Sequence, residues 1–208
     1  MLGIMKKDAP AYLMMAGFGV FMPLLDAFLH GLSANSAVTT SMWTLILLIP
    51  AAQCEIVEHL TRGYRFLRAL PLTAGEIVWA KHLWPLTFVS LHVIYAGLLF
   101  AVLAPAEKVR HLSRAYFVLN GNLALLASAA LLFLVFRFGL SRASMTALIV
   151  VLVVGMVALQ ESVLRLHLFE SIAGFGTWPM LVVVTTLSLG AYALLATAST
   201  RAFERREI

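Results

Sequence analysis

Cys54, Glu55, Glu58 and His59 fall within two turns of a helix, and Glu55 and His59, four apart, could share a metal ion. A metal site needs about four placed ligands and an outer shell of hydrogen bonds. No second His/Glu cluster in a neighbouring apolar run supplies them, and His167 with Glu170, three apart, is equally isolated. Asp26 and His30 lie four apart toward the end of a long apolar run. They could pass a proton or contact a substrate, or form a helix-end pair that touches water. His92 and Asn120 sit inside two further apolar runs, where each could line a path or bond a neighbouring helix. Asn122 reads more simply as interhelical glue. No G-x-S-x-G, H-E-x-x-H or G-x-x-x-x-G-K-[ST] occurs, and no dense aspartate cluster that would hold magnesium and phosphate. Any use of ATP by this chain therefore needs a partner.

The elements that carry these residues follow from composition. Of 208 residues, 62% are hydrophobic and 12% charged. An average soluble domain carries about 25% charge, and half of that cannot cover a soluble globule of this size. Disorder is excluded for the opposite reason, since disordered chains are poor in apolar residues. One cysteine, Cys54, rules out an internal disulfide framework. The composition fits an all-α polytopic membrane protein.

A spanning helix needs about 20 mainly apolar residues. Six runs qualify: 9–30, 37–54, 83–104, 115–136, 144–160 and 179–198, together forming a single transmembrane domain. No ten-residue stretches alternate as a β-barrel would require. The first run exceeds the roughly 7–15 apolar residues of a cleavable signal and reads as a retained signal-anchor.

The net charge of +5 acquires meaning when the basic residues are sorted by side. With both termini cytoplasmic, the inner segments 1–8, 55–82, 137–143 and 199–208 hold eleven Lys and Arg, against four outside (Lys108, Arg110, Arg114 and Arg165). That asymmetry orients six helices; it is not the signature of a nucleic-acid binder.

The inner segment 55–82 carries the most local instruction. Glu55, Glu58, Arg62 and Arg65 recur at three- and four-residue steps, opposite Ile56, Leu60 and Leu67, so its first half reads as an amphipathic helix. Pro71 stops it and holds Leu70 extended. Thr73 and Glu76 then form a capping-box pattern, with Leu72 and Ile77 placed as a hydrophobic staple. A new helix runs from there toward Lys81. The tip Leu70, Pro71, Leu72, flanked by Arg62, Arg65, Arg68 and Glu76, has the apolar centre and polar rim of a docking surface. A helical hairpin with structural duties alone would carry the same caps.

The run from Glu55 through Arg68-Ala-Leu-Pro-Leu-Thr-Ala-Gly-Glu76-Ile-Val-Trp-Ala-Lys81 resembles the loop between the second and third spans of ABC-2 type transporter permeases. The plan of about 200 residues, six spans and no ATPase domain is similar to that family over the whole chain; the motif covers only about 27 residues. After Leu-Pro-x the family often has Ser or Thr and then Arg, where this chain has Thr73 and Ala74, and the interfacial N-terminal helix is short here. The resemblance implies a permease subunit of an ATP-driven exporter in a plasma or bacterial inner membrane. Segment 55–82 would then be the coupling element that docks on separate ATPase subunits, which hold the ATP and magnesium. A second permease chain, identical or related, would complete the path. Arg62, Arg65, Arg68, Leu70, Pro71, Leu72, Thr73, Glu76 and Lys81 would form the coupling site, and Asp26, His30, His92 and Asn120 are candidates for the path. The alternative is a non-transport membrane subunit, or a membrane-embedded enzyme with an unrecognised site.

Two further features remain. Segment 161–178 places Leu164, Leu166, Leu168 and Phe169 among Glu161, Arg165 and His167. It reads as an amphipathic helix at the outer interface, or as plain anchoring through Phe175 and Trp178. In the last span, Thr186, Gly190, Ala193 and Thr197 form a small-residue stripe that permits close packing of another helix, from this chain, as is mostly so for such stripes, or from a second subunit.

Overall fold

The computed structural model describes residues 2–30, 69, 71–104, 107–139 and 178–205. These are helical apart from short caps and turns, and no strand occurs among them. Four long helices result: α1 (Leu2–His30), α2 (Ala74–Leu103), α3 (Glu107–Phe138) and α4 (Trp178–Glu204). With 27 to 32 residues each, at 1.5 Å rise they extend about 40–48 Å, enough to cross a bilayer. All four contain windows apolar enough to do so: Asp8–Leu25, Ala74–Leu103, Ser113–Phe138 and Trp178–Glu204. These correspond to the expected runs 9–30, 83–104, 115–136 and 179–198. The other two runs, 37–54 and 144–160, lie outside the described residues.

The helix ends obey their local sequence. Ala104, just before Pro105, is extended and closes α2 by donating its N–H to the Phe100 carbonyl. Gly139 ends α3 at φ 59°, its N–H bonding the Val135 carbonyl at 2.8 Å. This is the left-handed conformation that glycine adopts without a Cβ penalty. α2 does not stop near Lys81. The capped helix and the third apolar run are one continuous rod of 30 residues.

Side-chain contacts fix the direction of each helix. α1 and α2 run parallel: Asp8 meets Lys81, Tyr12 stacks on Trp84 and Phe88, and the Tyr95 hydroxyl donates to the Val20 carbonyl. α3 and α4 run parallel to each other, with Arg114 against Trp178, Asn122 bonded to Thr185 and Phe136 against Phe203. The second pair is antiparallel to the first, since Phe100 meets Phe117 and His82 meets Ser199. The starts of α1 and α2 and the ends of α3 and α4 therefore gather at one end of the bundle, called here the near end.

Three apolar clusters fill the bundle along its length. Ile77, Val78, Ala80, Leu132, Phe136 and Phe203 pack at the near end. Tyr12, Phe88, Val89, Ala124, Leu125 and Tyr192 occupy the middle. Ala96, Phe100, Ala104 and Phe117 close the far end. The crossing of α2 and α3 is tight at Gly121, where an added Cβ would come within 2.4 Å of Val93 Cγ2. Large apolar side chains also face outward on all four helices, among them Phe28, Val102, Phe138 and Leu194. Outward apolar surface is what a lipid solvent allows.

Candidate functional site

The near end concentrates the polar chemistry of the described chain. It begins at the turn before α2. Thr73 is extended and accepts at Oγ1 from the Glu76 N–H at 3.2 Å, while the Thr73 N–H donates to Glu76 Oε2 at 2.9 Å. The Thr73 hydroxyl also donates to the same carboxylate oxygen at 3.0 Å. Both halves of the capping box are thus made. Leu72, partly buried, packs on the cluster that contains Ile77, as a hydrophobic staple does. Pro71, Thr73 and Glu76 are exposed. Beside this turn, Leu72, Ala74, Ile77, Phe203 and Glu204 line a shallow cleft of about 270 Å³. The last turn of α4 adds the exposed Arg201, Glu204 and Arg205 to the rim.

Two turns into α2 the helix becomes pinned on both sides. Lys81 Nζ donates to Asp8 Oδ2 at 2.6 Å, with the two side chains 2% and 4% exposed. On the next residue, His82 Nε2 lies 3.3 Å from Ser199 Oγ. The Ser199 hydroxyl donates to the Leu195 carbonyl at 2.8 Å, so its oxygen is left to accept from Nε2–H. The Tyr192 hydroxyl donates to the His82 backbone carbonyl, and the two rings meet edge to face. His82 is fully buried, and its Nδ1 has no hydrogen-bond partner among the described residues. Ser199 is fully buried too, so this His–Ser contact fastens α4 to α2 and offers no surface for an incoming substrate.

The structure distributes the sequence-predicted residues unevenly. Pro71, Leu72, Thr73 and Glu76 come together at the exposed turn. Lys81, expected as the basic end of that element, points into the bundle and is paired with Asp8. Arg62, Arg65, Arg68 and Leu70 lie outside the described residues, as do Cys54, Glu55, Glu58 and His59. Among the described residues, no group of three or more His, Cys, Asp or Glu could hold a metal ion. Asp26 and His30 occupy the far-end turns of α1. His92 and Asn120 are buried in α2 and α3.

At mid-depth, a second groove of about 240 Å³ is lined by Ser90, Val93, Gly121, Asn122, Thr185 and apolar neighbours. His92 and Asn120 are not in its lining. Asn122 Nδ2 donates to Thr185 Oγ1 at 3.1 Å, which joins α3 to α4 as the sequence reading expected. The small-residue stripe on α4 packs on none of the other described helices. Among the described residues, Thr186, Gly190, Ala193 and Thr197 all face outward, and an added Cβ at Gly190 would meet nothing within 4 Å. The physical reason is that α4 buries another face, formed by Leu181, Ser188, Tyr192, Ala196, Ser199 and Phe203. The outward threonines satisfy themselves: Thr186 and Thr197 each donate to the carbonyl four residues back at 2.8 Å, as hydroxyls in an apolar solvent must.

Sequence reasoning passed over Asp8, His82, Tyr192 and Ser199. For Asp8 a signal existed, because it is the only acidic residue among the first 25 and stands at the mouth of an apolar run, where a lone carboxylate needs a partner. His82 carried the same kind of signal as His92, an ionisable ring, here at the edge of an apolar run; for Tyr192 and Ser199 none existed, since Ser and Tyr inside a span are common.

Compared with known proteins, the chain matches no family model, no curated protein and no solved structure.

Proposed function

We propose that this chain is the membrane-spanning subunit of an ATP-driven, ABC-type exporter, and that its near end is cytoplasmic and docks on separate ATPase subunits. The observation that carries this reading is the exposed, doubly capped turn at Pro71–Thr73, built on the end of a single 30-residue helix that continues through the bilayer depth. A continuous helix of that kind moves its first turns, and the side chains they hold, as one unit when its tip is pushed, whereas a flexible loop would absorb the push. The cleft beside the turn and the charged last turn of α4 supply the apolar centre and polar rim that a soluble partner needs.

The six-span plan is supported by helix direction. Because α1 and α2 are parallel, the chain between residues 30 and 71 has to return from the far end to the near end. Because α3 and α4 are parallel, the chain between residues 139 and 178 has to make the opposite trip. Each of those segments contains one of the two remaining apolar runs, 37–54 and 144–160. Six crossings bring both termini to the near end, the side that holds eleven of the fifteen basic residues. On this reading a second permease chain completes the path, ATP and magnesium stay on the partner, and lipid surrounds the apolar outer faces.

The reading is tested by gentle purification from native membranes. A nucleotide-binding ATPase should co-purify in fixed ratio, and its hydrolysis should change when Leu70 and Pro71 are made acidic. A lone oligomer, stable and indifferent to ATP, would favour a non-transport membrane subunit instead.

A further inference from the structure

We infer that residues 2–9 form a clip at the near end, hinged at Pro10 and caught by the Asp8–Lys81 ion pair. This inference does not depend on the transport reading. Pro10 stands inside α1 and has no N–H, so the hydrogen bond to the carbonyl of Lys6 is missing. The turn that joins the clip to the rest of α1 is weakened at that point.

Beyond the hinge α1 is held by ring stacking and by one hydrogen bond, from the Tyr95 hydroxyl to the Val20 carbonyl; before it, by an ion pair. Beyond it, Tyr12 is buried and stacks on Trp84 and Phe88 of α2 with ring centroids 5.2 and 5.5 Å apart. Those contacts are apolar, broad and tolerant of small shifts. Before it, Lys6 and Pro10 are exposed and Ala9 is half-buried, while Asp8 is buried with its carboxylate on Lys81 Nζ. An ion pair is short-ranged in geometry and costly to leave half-made when buried. It therefore behaves as a catch with two positions, closed or fully released to water. Its receiving half sits on α2 eight residues after the capped turn. Pro85 also denies the Lys81 carbonyl its usual helical partner, so this stretch of α2 is itself able to bend. A shift of the start of α2 would then open the catch and free the clip, while the aromatic stack keeps the remainder of α1 in place.

The test is hydrogen exchange on the full chain in lipid nanodiscs, read at the amides of residues 6–9 and, separately, of residues 12–22. Amides 2–5 have no helical acceptor and are left out. Asp8→Asn should speed exchange at 6–9 by at least roughly tenfold and leave 12–22 within about twofold. The swap Asp8→Lys with Lys81→Asp should bring 6–9 back to within about threefold of the unaltered chain. Adding Pro10→Ala to Asp8→Asn should slow 6–9 again, because the helical ladder then bridges the hinge. Unchanged exchange at 6–9 in Asp8→Asn would overturn the inference, since the pair would be no catch. Loosening that spreads through 12–22 would overturn it equally, since the pair would then hold the whole helix. If the swapped chain fails to insert, the Pro10→Ala arm decides between these outcomes.

Discussion

The two ends of the bundle share an edge-to-face aromatic pair, Phe136 on Phe203 at one and Phe100 on Phe117 at the other, and differ in the contacts added to it. At the near end, polar contacts of defined geometry tie α2 to both of its neighbours: Asp8 to Lys81, His82 to Ser199, and the Tyr192 hydroxyl to a backbone carbonyl. At the far end, Phe100 lies edge to face on Phe117 at 5.2 Å, and Arg114 sits 5.1 Å over the Trp178 ring. Apolar and cation–π contacts tolerate sliding, whereas hydrogen bonds and ion pairs hold one register. The difference teaches where the molecule can keep a defined arrangement while its partners move. The end with directional contacts is also the end that presents the exposed, capped turn.

Six substitutions, read as thermal or denaturant stability of the purified chain in detergent, would break or sharpen this contrast. The largest effects should come from the apolar wedges, and here the ends should not differ. Phe136→Ala at the near end and Phe117→Ala at the far end, both fully buried, should each cost about 3–5 kcal/mol. A clear inequality would mean that one end, not the whole bundle, carries the core. Next comes the waist between them. Gly121→Ala should cost about 1–3 kcal/mol, because its methyl meets Val93 Cγ2 at 2.4 Å and valine cannot turn aside easily. Gly190→Ala, facing open space on α4, should instead be neutral or stabilise by up to about 1 kcal/mol.

The smaller effects separate the ends. Tyr192→Phe removes only the hydroxyl that bonds the His82 carbonyl and should cost about 1 kcal/mol. Arg114→Ala should cost about 0.5–1 kcal/mol, since its partner Trp178 is exposed. If Arg114→Ala proved the costlier of the two, the far end would be the better fastened, and the contrast would be reversed.

Much of this architecture was legible in the amino-acid sequence, for reasons that particular residues make plain. The apolar runs located α1 to α4 because lipid imposes a length on every crossing. The Thr73–Glu76 box and the Leu72–Ile77 staple were readable because caps are local, spanning four residues. Asn122 was read as glue because a buried amide in a span needs a partner. What escaped was set by distance along the chain. Asp8 and Lys81 are 73 residues apart, and His82 and Ser199 are 117 apart; no periodicity within one helix reveals such pairs. The α4 stripe did not reveal its own partner, because small residues permit close packing without naming the helix that supplies it. Which face of α4 turned inward was decided by Tyr192 and Phe203, whose burial outweighs what Gly190 and Ala193 could gain.

On the proposed reading the near end, and not the far end, meets a soluble ATPase. A photo-crosslinking amino acid placed at Pro71, and separately at Val102, both exposed at opposite ends of the bundle, tests it directly in intact cells. A covalent adduct with a nucleotide-binding ATPase is expected from position 71 and none from position 102. The same adduct from position 102, or none from position 71 while the chain is correctly inserted, would contradict it.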